Sequence, residues 1–129
     1  LNKLQIIYKP HPASTLKINS FSSLSMKIRE EPLSELLPMA KLAFCGSSTS
    51  AGLDAFSYGL KVIVFQDPKI LNFSPLRSFK EVSFVMDSFQ LEDIIVEFLF
   101  GDVYNLPKRD VFELSEGLPL WENLLYKTI

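Results

Sequence analysis

Two short stretches hold the residues best suited to chemistry, "KPHP" at 9–12 and "GSSTS" at 46–50. The first carries the chain's single histidine, His11, between Pro10 and Pro12. The second sets Ser47, Ser48, Thr49 and Ser50 behind Gly46. A helix opening there would present free N–H groups and hydroxyls at its positive end, an anion site suited to phosphate. Gly46 would let the backbone approach a ligand closely. An imidazole at the same place would add a hydrogen bond or, when protonated, a charge. Together these parts make a clamp for a monophosphate or diphosphate. Plainer roles stay open: Ser47 or Ser48 as a helix cap, and His11 as a structural residue of a Pro-rich turn. Four small polar residues in a first helical turn exceed what capping requires.

Such a clamp needs elements to position it, and the apolar pattern supplies them. Short runs "LQIIY" (4–8), "SMKIRE" (25–30), "KLAFC" (41–45), "KVIVFQ" (61–66) and "VSFVMD" (82–87) read as strands. Helices are expected in "EPLSELLPMA", opening at Pro32, with Leu33, Leu36 and Leu37 on one face and Pro38 shortening it. Further helices are expected in "GSSTSAGLDAFSYGL", ended by Gly59, in "SFQLEDIIVEFLF", capped by Ser88, and in "LPLWENLLYKT". Strands alternating with helices specify an α/β fold with a mostly parallel, Rossmann-like sheet and helices on both faces. In such a sheet every strand ends at one edge, where ligands bind. His11 and Ser47–Ser48 both follow strands and are expected to share a crevice. The expected division is a Rossmann-like domain over 1–100, with 101–129 a connector and a helix packing on it.

The chain has 129 residues, enough for one domain with a core, and 47% of them are hydrophobic. Its net charge of −2 provides no general field for nucleic acid or anionic lipid. One cysteine and one histidine rule out an intrachain disulfide and a cysteine-built zinc site. No metal site and no cofactor are expected. No apolar run reaches the roughly 18 residues of a membrane span. The chain opens on Leu1 almost inside a strand, which reads as a domain cut from a longer polypeptide. Glu92, Asp93 and Glu97 read as the solvated face of a helix, Asp67 as a turn residue and Cys45 as a small core residue. The eleven Phe fall at core spacing, and Trp121 and Tyr126 are expected to pack on the sheet or on a further domain.

The order of these features resembles the C-terminal, donor-binding half of GT-B-fold glycosyltransferases, over residues 4 to 100. The resemblance rests on "KPHP" after a first strand, "EPLSELLPMA" after a second, and above all "SSTSAGLDAFSYGLKVIVF". An HP element paired with an SS/ST element is similar to that of bacterial sialyltransferases and polysialyltransferases, and to that of CDP-glycerol glycerophosphotransferases. The resemblance implies that His11 contacts the donor phosphate and supports departure of the nucleotide. It implies that Lys9, Gly46, Ser47, Ser48 and Thr49 bind the same phosphate, and that Arg29, Glu30, Glu31 and Asp54 lie by base and ribose. Many retaining members carry Glu-x7-Glu; no such pair surrounds Asp54, which speaks against a retaining mechanism of that type.

The expected function is therefore the nucleotide-sugar-binding part of a glycosyltransferase for bacterial surface polysaccharide or lipopolysaccharide, with a CMP-sugar donor. The glycan or lipid-linked acceptor would meet a missing N-terminal domain, which would also carry the base, so this part alone would be inactive. A cytoplasmic location follows, at the inner face of the membrane through the longer protein, with no nucleic-acid partner. Alternatives are a CDP-alditol phosphotransferase-like domain, an epimerase on the same scaffold, and a non-catalytic nucleotide-binding or interaction module.

Overall fold

The computed structural model describes residues 4–11, 24–101, 107–109, 111 and 116–126. The fold is α/β, with parallel strands in small sheets flanked by helices. The chain forms two compact units, Leu1–Ala40 and Lys41–Ile129.

In the first unit, β1 (Ile6–Tyr8) and β2 (Met26–Ile28) pair in parallel, Ile6 opposite Met26 and Tyr8 opposite Ile28. The helix α1 (Leu33–Leu36) follows, one turn long. Pro32 precedes it as the N-cap rather than opening it, and Pro38 sits inside the 3-10 turn Leu37–Met39 that continues it. A proline has no N–H for a helical ladder, so the chain tightens there and stops. Leu36 and Leu37 are buried, as their shared face required.

The second unit contains β3 (Leu42–Gly46), α2 (Ala51–Tyr58), β4 (Lys61–Phe65), β5 (Ser83–Val85), α3 (Ser88–Phe100) and α4 (Pro119–Tyr126). Its sheet has the order β3-β4-β5 with every pairing parallel. Being central, β4 is covered on both faces, and its β-branched run Val62, Ile63, Val64 is buried throughout. Leu53, Ala55 and Phe56 of α2 close over the sheet with Leu76, which a 3-10 turn (Pro75–Ser78) delivers. The Phe56 ring meets Phe79 with centroids 4.7 Å apart.

Gly59 ends α2 as expected, with φ of 97°. Its N–H reaches the Phe56 carbonyl at 3.0 Å, and the Leu60 N–H reaches Ala55 at 3.0 Å, a Schellman closure. The cap of α3 differs from expectation. Asp87, not Ser88, is the N-cap, its Oδ1 accepting the Gln90 N–H at 2.9 Å. Gln90 returns Oε1 to the Met86 N–H at 2.8 Å, a one-residue variant of the capping box. Asp87 is the residue in extended backbone, φ −148° and ψ 174°, as an N-cap requires.

Several aromatic assignments are corrected. Phe44, Phe65, Phe73, Phe89 and Phe100 are exposed. Strand alternation turns Phe44 and Phe65 to the sheet face opposite Cys45 and Val64, away from α2. Trp121 and Tyr126 are 57% and 75% exposed, so the sheet does not cover them. By contrast the connector residues Lys108 and Arg109 dock. Arg109 donates its N–H to Ser57 (2.9 Å), pairs Nη1 with Glu81 Oε1 (2.8 Å) and lies 5.1 Å from the Phe56 ring centroid. Lys108 sits 4.6 Å over Tyr58.

In this unit α2 approaches the sheet closely at Gly52. A Cβ there would stand 2.7 Å from Cys45 Sγ and 3.3 Å from Leu76 Cδ1. Gly52→Ala is therefore expected to destabilise by about 1–3 kcal/mol, the usual cost of overpacking. In a Cys45→Ala background the same change should cost distinctly less. Urea unfolding of the single and double variants measures both; an equal cost in the two backgrounds would refute the contact.

Candidate functional site

The residues expected at the site fall into two sets, one at the strand ends of each unit. In the first unit, parallel pairing brings the segments after β1 and β2 to one edge. The Arg29 N–H bonds the Tyr8 carbonyl at 3.1 Å, continuing the ladder. Lys9 Nζ reaches the Glu30 carbonyl at 3.1 Å. Arg29 then grips Glu31: Nε lies 2.7 Å and Nη2 2.6 Å from the same Oε1. The edge thus gathers Lys9, Arg29, Glu30 and Glu31, and the exposed His11 lies two residues beyond Lys9. The Arg29 hydrogen bond, aided by backbone N–H donors, draws the Glu31 carboxyl down to about 2, and Arg29 is held more firmly protonated in return.

In the second unit the expectation for "SSTS" is corrected. The helix begins at Ala51, so Ser47–Ser50 precede it and do not form its first turn. The backbone explains the delay. The Ser47 N–H bonds the Phe65 carbonyl at 3.0 Å, extending the β3–β4 ladder past Gly46. The Thr49 N–H turns back to the Gly46 carbonyl at 3.4 Å, and Thr49 Oγ1 accepts the Ala51 N–H at 3.2 Å. Short hydroxyl side chains compete for nearby backbone groups in this way and favour turns over helix.

Thr49 is thus the residue that caps by side chain; Ser50, at the N-cap itself, makes no side-chain cap bond. Ser48 and Ser50 are exposed, Ser47 and Thr49 half-buried. A Cβ at Gly46 would meet no atom within 4 Å, so the space beside it is open. Asp54 is exposed in the first turn of α2, and its N–H bonds the Ser50 carbonyl at 3.2 Å. What this edge offers chemically is a set of hydroxyl donors at the positive end of a helix, with one carboxylate a turn away.

One residue here was not singled out by its sequence. Gln66 follows β4, and strand alternation places it on the face of Val62 and Val64, where α2 packs. It is 5% exposed; Nε2 donates to Asp67 O (2.8 Å) and Ile70 O (2.7 Å), while Oε1 is buried with no partner among the described residues. Its only sequence signal is a polar residue ending an apolar strand run. The assignments of Asp67 and of the α3 carboxylates hold. Asp67 makes a turn, accepting the Lys69 N–H at 2.8 Å, and Glu92, Asp93 and Glu97 are exposed along α3. Cys45 is half-buried and burial pushes its thiol up, away from thiolate chemistry. Among the described residues no group of three His, Cys, Asp or Glu could hold a metal ion.

The Arg29–Glu31 pair makes a direct prediction. Glu31 should titrate near 2 by carboxyl NMR, and Arg29→Gln should return it toward the ordinary 4.5. Because the folded value is depressed, whatever stability the pair adds is complete above about 4.5 and lost as pH falls toward 2. An unchanged Glu31 midpoint in Arg29→Gln would contradict the pairing. No protein-family model, curated protein or solved structure matches this chain, so its chemistry is read from these residues themselves.

Proposed function

We infer that this chain is the donor-nucleotide-binding part of a glycosyltransferase acting in bacterial surface polysaccharide or lipopolysaccharide assembly, with a CMP-sugar as donor. The observation that carries the reading is the β3–α2–β4 unit, whose first strand ends in an open glycine and a hydroxyl-rich turn before the helix. Parallel α/β units bind phosphorylated ligands at that edge. In this reading Gly46, Ser47, Ser48 and Thr49 of the second unit hold the donor phosphate, and in the first unit Lys9 and His11 are assigned charge or hydrogen bonds to phosphate. Asp54 and the Arg29–Glu31 segment serve ribose and base.

The reaction is displacement at the anomeric carbon. The acceptor oxygen forms its bond to that carbon as the bond to the phosphate oxygen breaks. The electron pair leaves with the nucleotide, where hydroxyls and the helix end stabilise the growing negative charge. His11, in the first unit, is assigned a catalytic role as a phosphate donor, and the acceptor's proton goes to a general base. No helix among the described residues is long and apolar enough to cross a membrane. A cytoplasmic site of action, where nucleotide-sugars are made, completes the proposal.

Titration with CMP, CDP, UMP, UDP and GDP, followed by amide NMR shifts, tests it. Cytidine-selective shifts at His11 and at Ser47–Thr49 are expected. Ser48→Ala or His11→Ala should weaken CMP about 10- to 100-fold, the loss of a hydrogen bond to a charged group. A UDP or GDP preference discards the cytidine donor. Shifts confined to other residues favour a non-catalytic module.

A further inference from the structure

The segment linking β4 to β5, "DPKILNFSPLRSFK" at 67–80, has no part in nucleotide binding as proposed. It is nonetheless firmly tied. Gln66 Nε2 holds the carbonyls of Asp67 and Ile70, and the Ile70 N–H closes on the Asp67 carbonyl at 3.1 Å. Further on, Asn72 Oδ1 accepts the Ser74 N–H at 2.9 Å, and the buried Ser74 Oγ accepts the Leu76 N–H at 3.2 Å. Gln66 at one end and Ser74 with Leu76 at the other are anchors inside the unit. Between them Ile70, Leu71 and Phe73 are 58%, 76% and 73% exposed. A backbone this constrained holds three large apolar side chains out in water, where contiguous apolar surface marks a contact site.

Cations predominate around this tip. Lys69 directly precedes it and is exposed. Exposed Arg77 donates Nη1 to the Ser74 carbonyl at 3.3 Å, which keeps the guanidinium beside the residue after Phe73. Lys80 adds a third cation at the end of the segment, beside the Glu81 carboxylate that it helps to lower. The segment's single carboxylate, Asp67, accepts the Lys69 N–H and keeps its charge, so three cations stand against one anion over 67–80. The whole chain carries −2, so this cationic setting is local to the loop.

We propose that residues 69–77 form a contact with an anionic lipid surface. Ile70, Leu71 and Phe73 enter the headgroup boundary, while Lys69 and Arg77 meet lipid phosphates. The chemistry fits a bilayer better than a protein partner. A protein would have to bring an apolar pocket and matching carboxylates to this tip, whereas an anionic bilayer offers apolar depth beneath a layer of phosphates everywhere on its surface. The contact is peripheral, in keeping with the absence of a spanning helix among the described residues. It stands independently of the nucleotide reading.

Cosedimentation of the full chain, without nucleotide, with vesicles of phosphatidylcholine alone or mixed equally with phosphatidylglycerol tests the proposal. Binding to the mixed vesicles, weakened by added salt, is expected. Leu71→Ser with Phe73→Ser should reduce it by at least about tenfold, and Lys69→Gln or Arg77→Gln by about fivefold each. The substituted side chains are exposed, so circular dichroism and urea unfolding should match the parent. Absence of binding to mixed vesicles overturns the proposal, as does full binding by the Leu71→Ser/Phe73→Ser variant. Binding lost instead in Trp121→Ser/Leu124→Ser would assign the contact to α4. A parent chain that self-associates in sedimentation velocity, and a loop variant that does not, would make the loop a protein interface.

Discussion

The closeness of α2 to the sheet is the constraint on which the second unit depends. Gly52 has no side chain, and this lets the helix backbone come down onto Cys45 and Val62 while Leu76 closes from the side. Because that approach occurs in the first turn, it also determines where the preceding residues lie. Ser47–Ser50 must bridge the end of β3 and a helix pressed against it, and they do so as a turn. The same seat buries Leu53, Ala55 and Phe56, so core packing and the placement of the hydroxyl-rich edge have one cause.

Backbone polar groups released by these tight joins are satisfied locally. Thr49 Oγ1 serves one end of α2 and the Gly59 closure the other. Asp87 and Gln90 do the same for α3. Gln66 does the most of these side chains, since its amide holds the turn that leaves the central strand and carries the loop out to its apolar tip. Its Oε1 is buried with no partner among the described residues.

Electrostatics act over short range in both units. Arg29 and Glu31 bind one another, so in the proposed site they form a neutral, already oriented pair rather than separate charges seeking a ligand. The role of Arg109 is structural. It joins Ser57, Phe56 and Glu81, and its hydrogen bond lowers the Glu81 carboxyl. Through it the connector is strapped over the far end of α2, while Lys61 Nζ reaches the Glu81 carbonyl at 3.3 Å from the other side.

The α/β class, parallel pairing and the Gly59 stop were legible in the sequence, because each follows from local chemistry. Apolar runs of strand length, a glycine after a helical pattern and prolines at element ends carry their conformational preferences with them. The residue types of the candidate site were legible for the same reason. Their geometry was not. The start of α2 moved from Ser47 to Ala51 because Ser47 found a partner on β4, remote in sequence. Ser88 yielded its cap to Asp87, whose extended backbone places it just outside the helix. The fate of each Phe, the Gln66 clamp and the Arg109 strap depend on which face of an element another segment covers. A one-dimensional pattern records that a side chain is apolar or polar, while burial is a property of neighbours that only the tertiary fold brings together.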